Sequence, residues 1–140
     1  MNTRMIKCIK LATFLALIVL HVTHVRPSLR QISPDHIARM KASQALFKGQ
    51  VKRILQAHCL TCHGGKSTKG DFDLSSRATL LDSGFVDLEE PKSSQVMAVI
   101  RHETKPHMPM KSAKLTEKQI SAIAKWIELG AAYDEPFRQK

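Results

Sequence analysis

Residues 58–64 read His58-Cys59-Leu60-Thr61-Cys62-His63-Gly64, and the interpretation of the whole chain starts from this stretch. Two cysteines separated by two residues lie about one helical turn apart, which places their sulfur atoms on one face. His63 follows the second cysteine directly and adds an imidazole to that face. An apolar pattern of helical spacing leads into the stretch from about Phe47, and Gly64-Gly65 is expected to end the helix.

This combination is typical of covalent haem attachment. Two thiols at this spacing add to the two vinyl groups of a haem, and the imidazole then binds the iron. The sequence therefore predicts one haem c, bound through Cys59 and Cys62, with His63 as an axial ligand. A thioredoxin-like dithiol would follow a strand, and a structural zinc site would need a second pair of ligands. A disulfide between these two cysteines would close a loop too short to add much stability.

The second axial ligand is expected in the loop 105–110, which reads Lys105-Pro106-His107-Met108-Pro109-Met110. Its two prolines exclude a helix and predict a stiff, extended segment. A methionine between prolines in a polar loop is less easily explained as core filler than Met40 or Met97. Met108 is therefore the preferred ligand of the iron. An open position stays possible, and so do three other side chains, those of Met110, His107 and His102.

The pattern of apolar residues predicts a mainly α fold. The Cys-x-x-Cys-His motif adds one covalent haem and so predicts a small cytochrome c fold of about three to five helices around it. Ser33-Pro34 is expected to begin a first helix, which Gly49 is expected to interrupt. The clearest helix follows the capping box Thr116-Glu117-Lys118-Gln119 and ends at Gly130. Trp126 lies on this helix and is expected to pack in the core against the haem. Arg77 and Arg101 are expected to be solvated rather than bound to the haem propionates.

The first 26 residues predict export. They carry basic residues and no acidic ones, and residues 11–20 (LATFLALIVL) form an apolar run of signal-peptide length, short of a membrane span. No small-x-small cleavage site follows, so a signal peptide and an uncleaved N-terminal anchor both stay open. We expect a periplasmic protein, soluble or tethered to the inner membrane. The predicted segments are the leader at 1–26, a linker or N-terminal helix at 27–46, the cytochrome c domain at 47–135 and a C-terminal tail at 136–140.

The formal net charge of +10 does not indicate a nucleic-acid-binding protein. Such proteins usually carry clustered basic residues interleaved with exposed aromatic ones, and here the basic residues are spread along the chain. The expected partners are redox proteins, and the positive charge would help to steer acidic ones.

Further stretches of the sequence carry a family resemblance. They are the run Val51–Leu55, the motif His58–Gly64, the segments Lys69–Leu74 and Glu90–Ser94, the pair Met108-Pro109 and the helix Ala124–Ala131. With these stretches, Phe47 to Ala132 resembles the small cytochrome c domain of planctomycete proteins, one of the class I-like c-type cytochromes. The resemblance implies His63 and Met108 as ligands. The family commonly has Met-Pro-Pro where this chain has Met108-Pro109-Met110, so Met110 stays the alternative.

Three functions agree with these features. The preferred one is a mono-haem electron carrier, without enzymatic activity, whose iron cycles between Fe(II) and Fe(III) with His/Met ligation. The alternative is a five-coordinate or weakly ligated haem that senses a gas or a redox change or reacts with peroxide. A third possibility is an interaction or anchoring module in which the haem is structural.

Overall fold

The computed structural model describes residues 33–65, 68–133 and 136–137. Within these ranges the chain is helical, contains no β-strand, and has long irregular segments between the helices, which confirms the predicted mainly α fold. The helices are α1 (Pro34–Leu46), a π-helical turn (Phe47–Val51), α2 (Lys52–His58), α3 (Leu60–His63), α4 (Arg77–Asp82), α5 (Gln95–Ile100) and α6 (Glu117–Glu128). Single 3₁₀ turns lie at Lys69–Asp71 and Pro91–Ser93.

Helix α1 begins as predicted. The hydroxyl of Ser33 accepts a hydrogen bond from the backbone N–H of His36 at 3.2 Å, and Pro34 occupies the first turn, where its missing N–H costs nothing. The predicted interruption at Gly49 is wrong, because the chain stays helical from α1 through the π-helical turn into α2. A glycine disfavours helix by about 1 kcal/mol. The full burial of Phe47 and Val51 on either side of it outweighs that cost.

The last helix, α6, also agrees with its prediction. The Thr116 hydroxyl accepts from the backbone N–H of Gln119 at 3.3 Å, and the Gln119 side chain accepts from the N–H of Thr116 at 2.9 Å. These reciprocal bonds satisfy two N–H groups that the helix start leaves without partners. Beyond the other end, Gly130 has a φ of 110°, a conformation that favours glycine.

An aromatic cluster joins the π-helical turn to the end of the chain. The ring of Phe47 lies 4.9 Å from that of Tyr133, 5.2 Å from that of Phe137 and 6.0 Å from that of Trp126, measured between centroids. Phe47 is completely buried at the centre of the cluster. Four aromatic residues thus come together where the helices before and after the cysteine motif meet.

Ser43 adds a polar contact to the same junction. Its hydroxyl donates to the carbonyl of Trp126 at 3.1 Å and accepts from the N–H of Ala132 at 2.9 Å. Ser43 is fully buried, so these bonds are shielded from water. One hydroxyl therefore fixes α1 to the C-terminal end of α6.

Replacing Ser43 with alanine is expected to lower the free energy of unfolding by about 2 kcal/mol, because the N–H of Ala132 then stays buried without a partner. The carbonyl of Trp126 still accepts a hydrogen bond from the N–H of Ala131 at 2.9 Å, so it contributes less to the lost stability. Denaturant titration measures the effect, with Ala42→Ser at the exposed neighbouring position as the control. Equal stability of the two variants would contradict the bridging role.

The segment boundaries stay predictions. The boundary between residues 46 and 47 falls inside a continuous helical segment. The predicted leader at 1–26 lies outside the described residues, as do residues 27–32 and 138–140. Among the residues that are described, no helix is both long enough and apolar enough to cross a membrane.

Candidate haem-binding site

The cysteine motif forms a helical turn of its own. The N–H of Cys59 still donates to the carbonyl of Leu55 in α2 at 2.9 Å, but its φ of −126° ends that helix. The carbonyl of Cys59 then accepts from the N–H groups of Cys62 and His63 at 3.1 and 3.0 Å. As predicted, a helix leads into the motif and α3 ends at His63, just before Gly64. The turn holds both cysteines, with free thiols, and the histidine in one compact unit.

A hydrogen bond determines the tautomer of His63. Its Nδ1 lies 3.1 Å from the carbonyl oxygen of Phe72. A carbonyl can only accept, so Nδ1 carries a proton, and in the neutral imidazole Nε2 is then the nitrogen with the free lone pair. The His63 ring also meets the Phe72 ring edge to face at 5.2 Å, and the His63 carbonyl accepts from Leu74 at 2.7 Å. The segment after the motif therefore fixes the orientation of the His63 ring. Histidines that bind metals are commonly held by such a hydrogen bond from their other ring nitrogen.

An apolar cleft lies beside this turn. Its accessible wall is entirely apolar, and α2, α4, α5, α6 and the segment after the motif all contribute to it. Its lining includes Leu55, Cys59, Phe72, Leu80, Ile100 and Trp126. The apolar character of this lining, with Cys59 in it, suits the chemistry of a haem attached through that cysteine. His63 is not part of the lining but contacts Phe72, which is.

The environment of Cys59 is unsuited to dithiol redox chemistry. Burial, with a smaller effect from the neighbouring Cys62 thiol, raises the pKa of the Cys59 thiol to about 12. Thiol–disulfide catalysts need a lowered pKa, because the thiolate is the nucleophile. In addition, no three His, Cys, Asp or Glu side chains converge on a possible metal position anywhere in residues 33–65, 68–133 and 136–137.

The loop 105–110 is non-helical, as predicted, and its two methionines differ in burial. Met108 is half-buried and packs against the hydrophobic core, whereas Met110 is 60% exposed. The N–H of Met108 donates to the carbonyl of Val99 at 3.0 Å. Val99 precedes Ile100, which lines the cleft. His63 and Met108 are thus each held by the backbone of a segment that forms part of the cleft wall.

The two alternative histidine ligands form a stacked pair. The rings of His102 and His107 lie 4.6 Å apart with an angle of 7° between their planes. His102 is half-buried and His107 is exposed. The Nε2 of His102 lies 3.1 Å from the carbonyl oxygen of Met108, so this ring is already engaged by the backbone of the loop.

Residues 59–111 match the family model described as Planctomycete cytochrome C. The matched segment is a planctomycete-type cytochrome c domain. Such a domain implies covalently bound haem c, and the segment includes Cys59, Cys62, His63 and Met108. No curated protein and no solved structure matches this chain significantly.

The cytochrome c domain uses its arginines and its tryptophan in ways that the sequence did not predict in full. Trp126 is buried as expected and lines the cleft, and its indole N–H donates to the carbonyl of Ala132 at 2.8 Å. Contact of Trp126 with haem stays a prediction. The expectation that neither arginine binds a haem propionate stays a prediction, and each arginine donates to a backbone carbonyl. The Arg77 Nε donates to Gly130 at 2.9 Å and the Arg101 Nη1 donates to Lys92 at 3.1 Å.

Two residues near the site make contacts that the sequence did not predict. The first is Phe72, whose contact with His63 runs through the backbone carbonyl, a group that every residue carries. The second is His102, considered from the sequence only as an alternative ligand. The position of His102 just after a short apolar helix is the one signal in the sequence that could have indicated a role at the end of that helix.

Proposed function

We propose that this protein is a single-haem electron carrier with His63 and Met108 as the axial ligands. The observation that carries the proposal is that His63 and Met108 are each bound to a segment that contributes to one apolar cleft. Cys59 lines the cleft, His63 is hydrogen-bonded to the lining residue Phe72, and Met108 is hydrogen-bonded to Val99, the neighbour of the lining residue Ile100. The bound haem would supply a one-electron Fe(II)/Fe(III) couple.

Each residue has a separate task in this proposal. Cys59 and Cys62 anchor the haem through thioethers, so that it cannot dissociate when its oxidation state changes. The bond from the Nδ1–H of His63 to the carbonyl of Phe72 leaves Nε2 as the nitrogen that would bind the iron and makes the imidazole a better electron donor. The apolar side chains of the wall exclude water, which favours the less charged ferrous state and discourages reactions at the iron.

Met108 is preferred over Met110 because of its surroundings. A thioether that leaves solvent on binding iron must be held near the core, and Met108 already packs there. Met110 would first have to be withdrawn from solvent, at a cost in chain entropy. His107 is exposed as well, and the His102 ring is occupied by the Met108 carbonyl.

We further propose that the protein works outside the cytoplasm, where cytochrome c domains are typically found. Residues 1–26 would act as the signal peptide or as the membrane tether. Its partners would be redox proteins. Residues 1–26 hold four of the excess positive charges, and the remaining net charge of +6 would favour acidic partners at low ionic strength. Nucleic acid is not among the proposed partners.

The test is the absorption spectrum of the haem-loaded protein and of two matched variants. Met108→Ala is expected to abolish the charge-transfer band between a methionine sulfur and ferric iron, and to lower the reduction potential, because methionine ligation raises it. Met110→Ala removes an equal side chain from the same loop and is expected to change neither property. The covalent haem should persist in both variants.

Other results would point to other functions. Loss of the band in Met110→Ala instead would transfer the ligand role to Met110. Absence of the band from the unmodified protein, together with rapid carbon monoxide binding by the ferrous form, would replace the carrier by a sensor or peroxide-reactive haem. Failure to exchange electrons with any small redox mediator would favour a structural haem.

A further inference from the structure

His102 occupies an unusual backbone position. It follows Arg101, the C-terminal cap of α5, and has a φ of 62°, in the left-handed region that non-glycine residues seldom adopt. Helices commonly place glycine at this point, because a Cβ is unfavourable there. Such a conformation persists where the surrounding structure holds it.

The side chain of His102 forms a hydrogen bond with Met108. The Met108 carbonyl can only accept a hydrogen bond, so the His102 Nε2, 3.1 Å away, is the donor. The N–H of Met108 is meanwhile bound to the carbonyl of Val99 at 3.0 Å. Both backbone polar groups of Met108 are therefore attached to the end of α5.

Helix α5 is a firm support for this attachment. Its residues Met97, Val99 and Ile100 are buried, and Ile100 lines the cleft. His107 stacks on the His102 ring and restricts its rotation. The left-handed conformation of His102 ends the helical path of the chain. The His102 side chain then forms its hydrogen bond with the carbonyl of Met108, six residues further along the chain.

We infer that His102 is a positioning residue for the sixth ligand, which holds the backbone of Met108 so that its sulfur stays on the iron and is slow to exchange. The inference rests on the proposed ligation by Met108. It assigns His102 no bond to iron. His102 would lower the rate at which the Met108 sulfur dissociates from the iron and the rate at which another ligand replaces it.

The test uses His102→Gly and His102→Gln in the haem-loaded ferric protein. Glycine suits the left-handed backbone but lacks the donor, whereas the glutamine amide can donate at a similar distance from the backbone. His102→Gly is expected to weaken the methionine–iron charge-transfer band and to raise the rate of imidazole binding about tenfold, the factor that one lost hydrogen bond accounts for. His102→Gln is expected to restore the band and a slow rate.

Two controls separate positioning from general stability. His107→Ala removes the stacked imidazole but keeps the bond to Met108, so its imidazole-binding rate should stay within about twofold of the unmodified protein. With cyanide bound, all variants share one sixth ligand, and His102→Gly should then melt no lower than the unmodified protein, since glycine suits that backbone.

The outcomes distinguish this inference from the proposed function. A full band and unchanged imidazole binding in His102→Gly would overturn the role of His102 while leaving Met108 as the ligand. A clearly lower melting temperature of cyanide-bound His102→Gly would also overturn it, since the residue would then support the fold as a whole. Absence of the band from the unmodified protein would overturn the Met108 ligation and this inference with it.

Discussion

Replacing Gly64 with alanine is expected to lower the free energy of unfolding by about 3 kcal/mol and to reduce the yield of haem-loaded protein. A Cβ at this position would lie 2.5 Å from the carbonyl oxygen of Leu60 and 2.9 Å from its Cγ. The first contact is with the backbone of the haem-binding turn, which cannot move away without disturbing Cys62 and His63. Stability and haem attachment should therefore fall together.

Gly49→Ala is the matched control for this substitution. A Cβ at Gly49 would meet no atom within 4 Å, and the position is exposed inside a helical segment. Alanine there is expected to raise the stability by about 0.5–1 kcal/mol, because it has the higher helix propensity. Denaturant titration and the ratio of haem absorbance to protein measure both variants. Normal haem loading and stability in Gly64→Ala would show that the turn can adjust, contrary to the geometry.

Truncating Phe47 to alanine is expected to cause the largest loss of stability, about 4 kcal/mol, since it removes a fully buried aromatic side chain. The Phe47 ring contacts the rings of Trp126, Tyr133 and Phe137, so the cavity would open at the junction of α1, the π-helical turn and the chain after α6. Phe47 is not in the lining of the cleft, but its neighbour Trp126 is, so a small change in the haem spectrum of the folded fraction is expected as well.

Phe85→Ala tests whether this effect belongs to the cluster. Phe85 is half-buried and meets Phe72 edge to face at 5.6 Å, away from the ring of Phe47. Its loss is expected to cost about 1–2 kcal/mol, in proportion to the smaller buried area. Chemical denaturation of the two variants side by side provides the measurement. A smaller loss in Phe47→Ala than in Phe85→Ala would mean that the aromatic cluster does not hold the two ends of the chain together.

His102 contacts the proposed methionine ligand, and Gly64 directly follows the proposed histidine ligand. On the histidine side, the geometry depends on a tight turn and on the carbonyl of Phe72. On the methionine side, it depends on the end of α5 and on a side chain in a left-handed conformation. In both cases a hydrogen bond to a backbone carbonyl holds the residue that we propose as a ligand.

Much of this protein could be predicted from its sequence because the signals are local. The Cys-x-x-Cys-His spacing, the capping box at Thr116 and the prolines around Met108 each depend on residues within one or two helical turns. The helix at 117–128 and the non-helical loop at 105–110 were predicted on this basis, and the structure confirms them.

The tertiary structure decided what depends on distant parts of the chain. Propensity alone predicts a break at Gly49, but burial of Phe47 and Val51 against residues some eighty positions away keeps the helix intact. Met108 and Met110 are equivalent by composition, and only packing against the core and the bonds from Val99 and His102 separate them. A local pattern cannot specify such contacts, because burial and backbone hydrogen bonds arise only when remote segments meet.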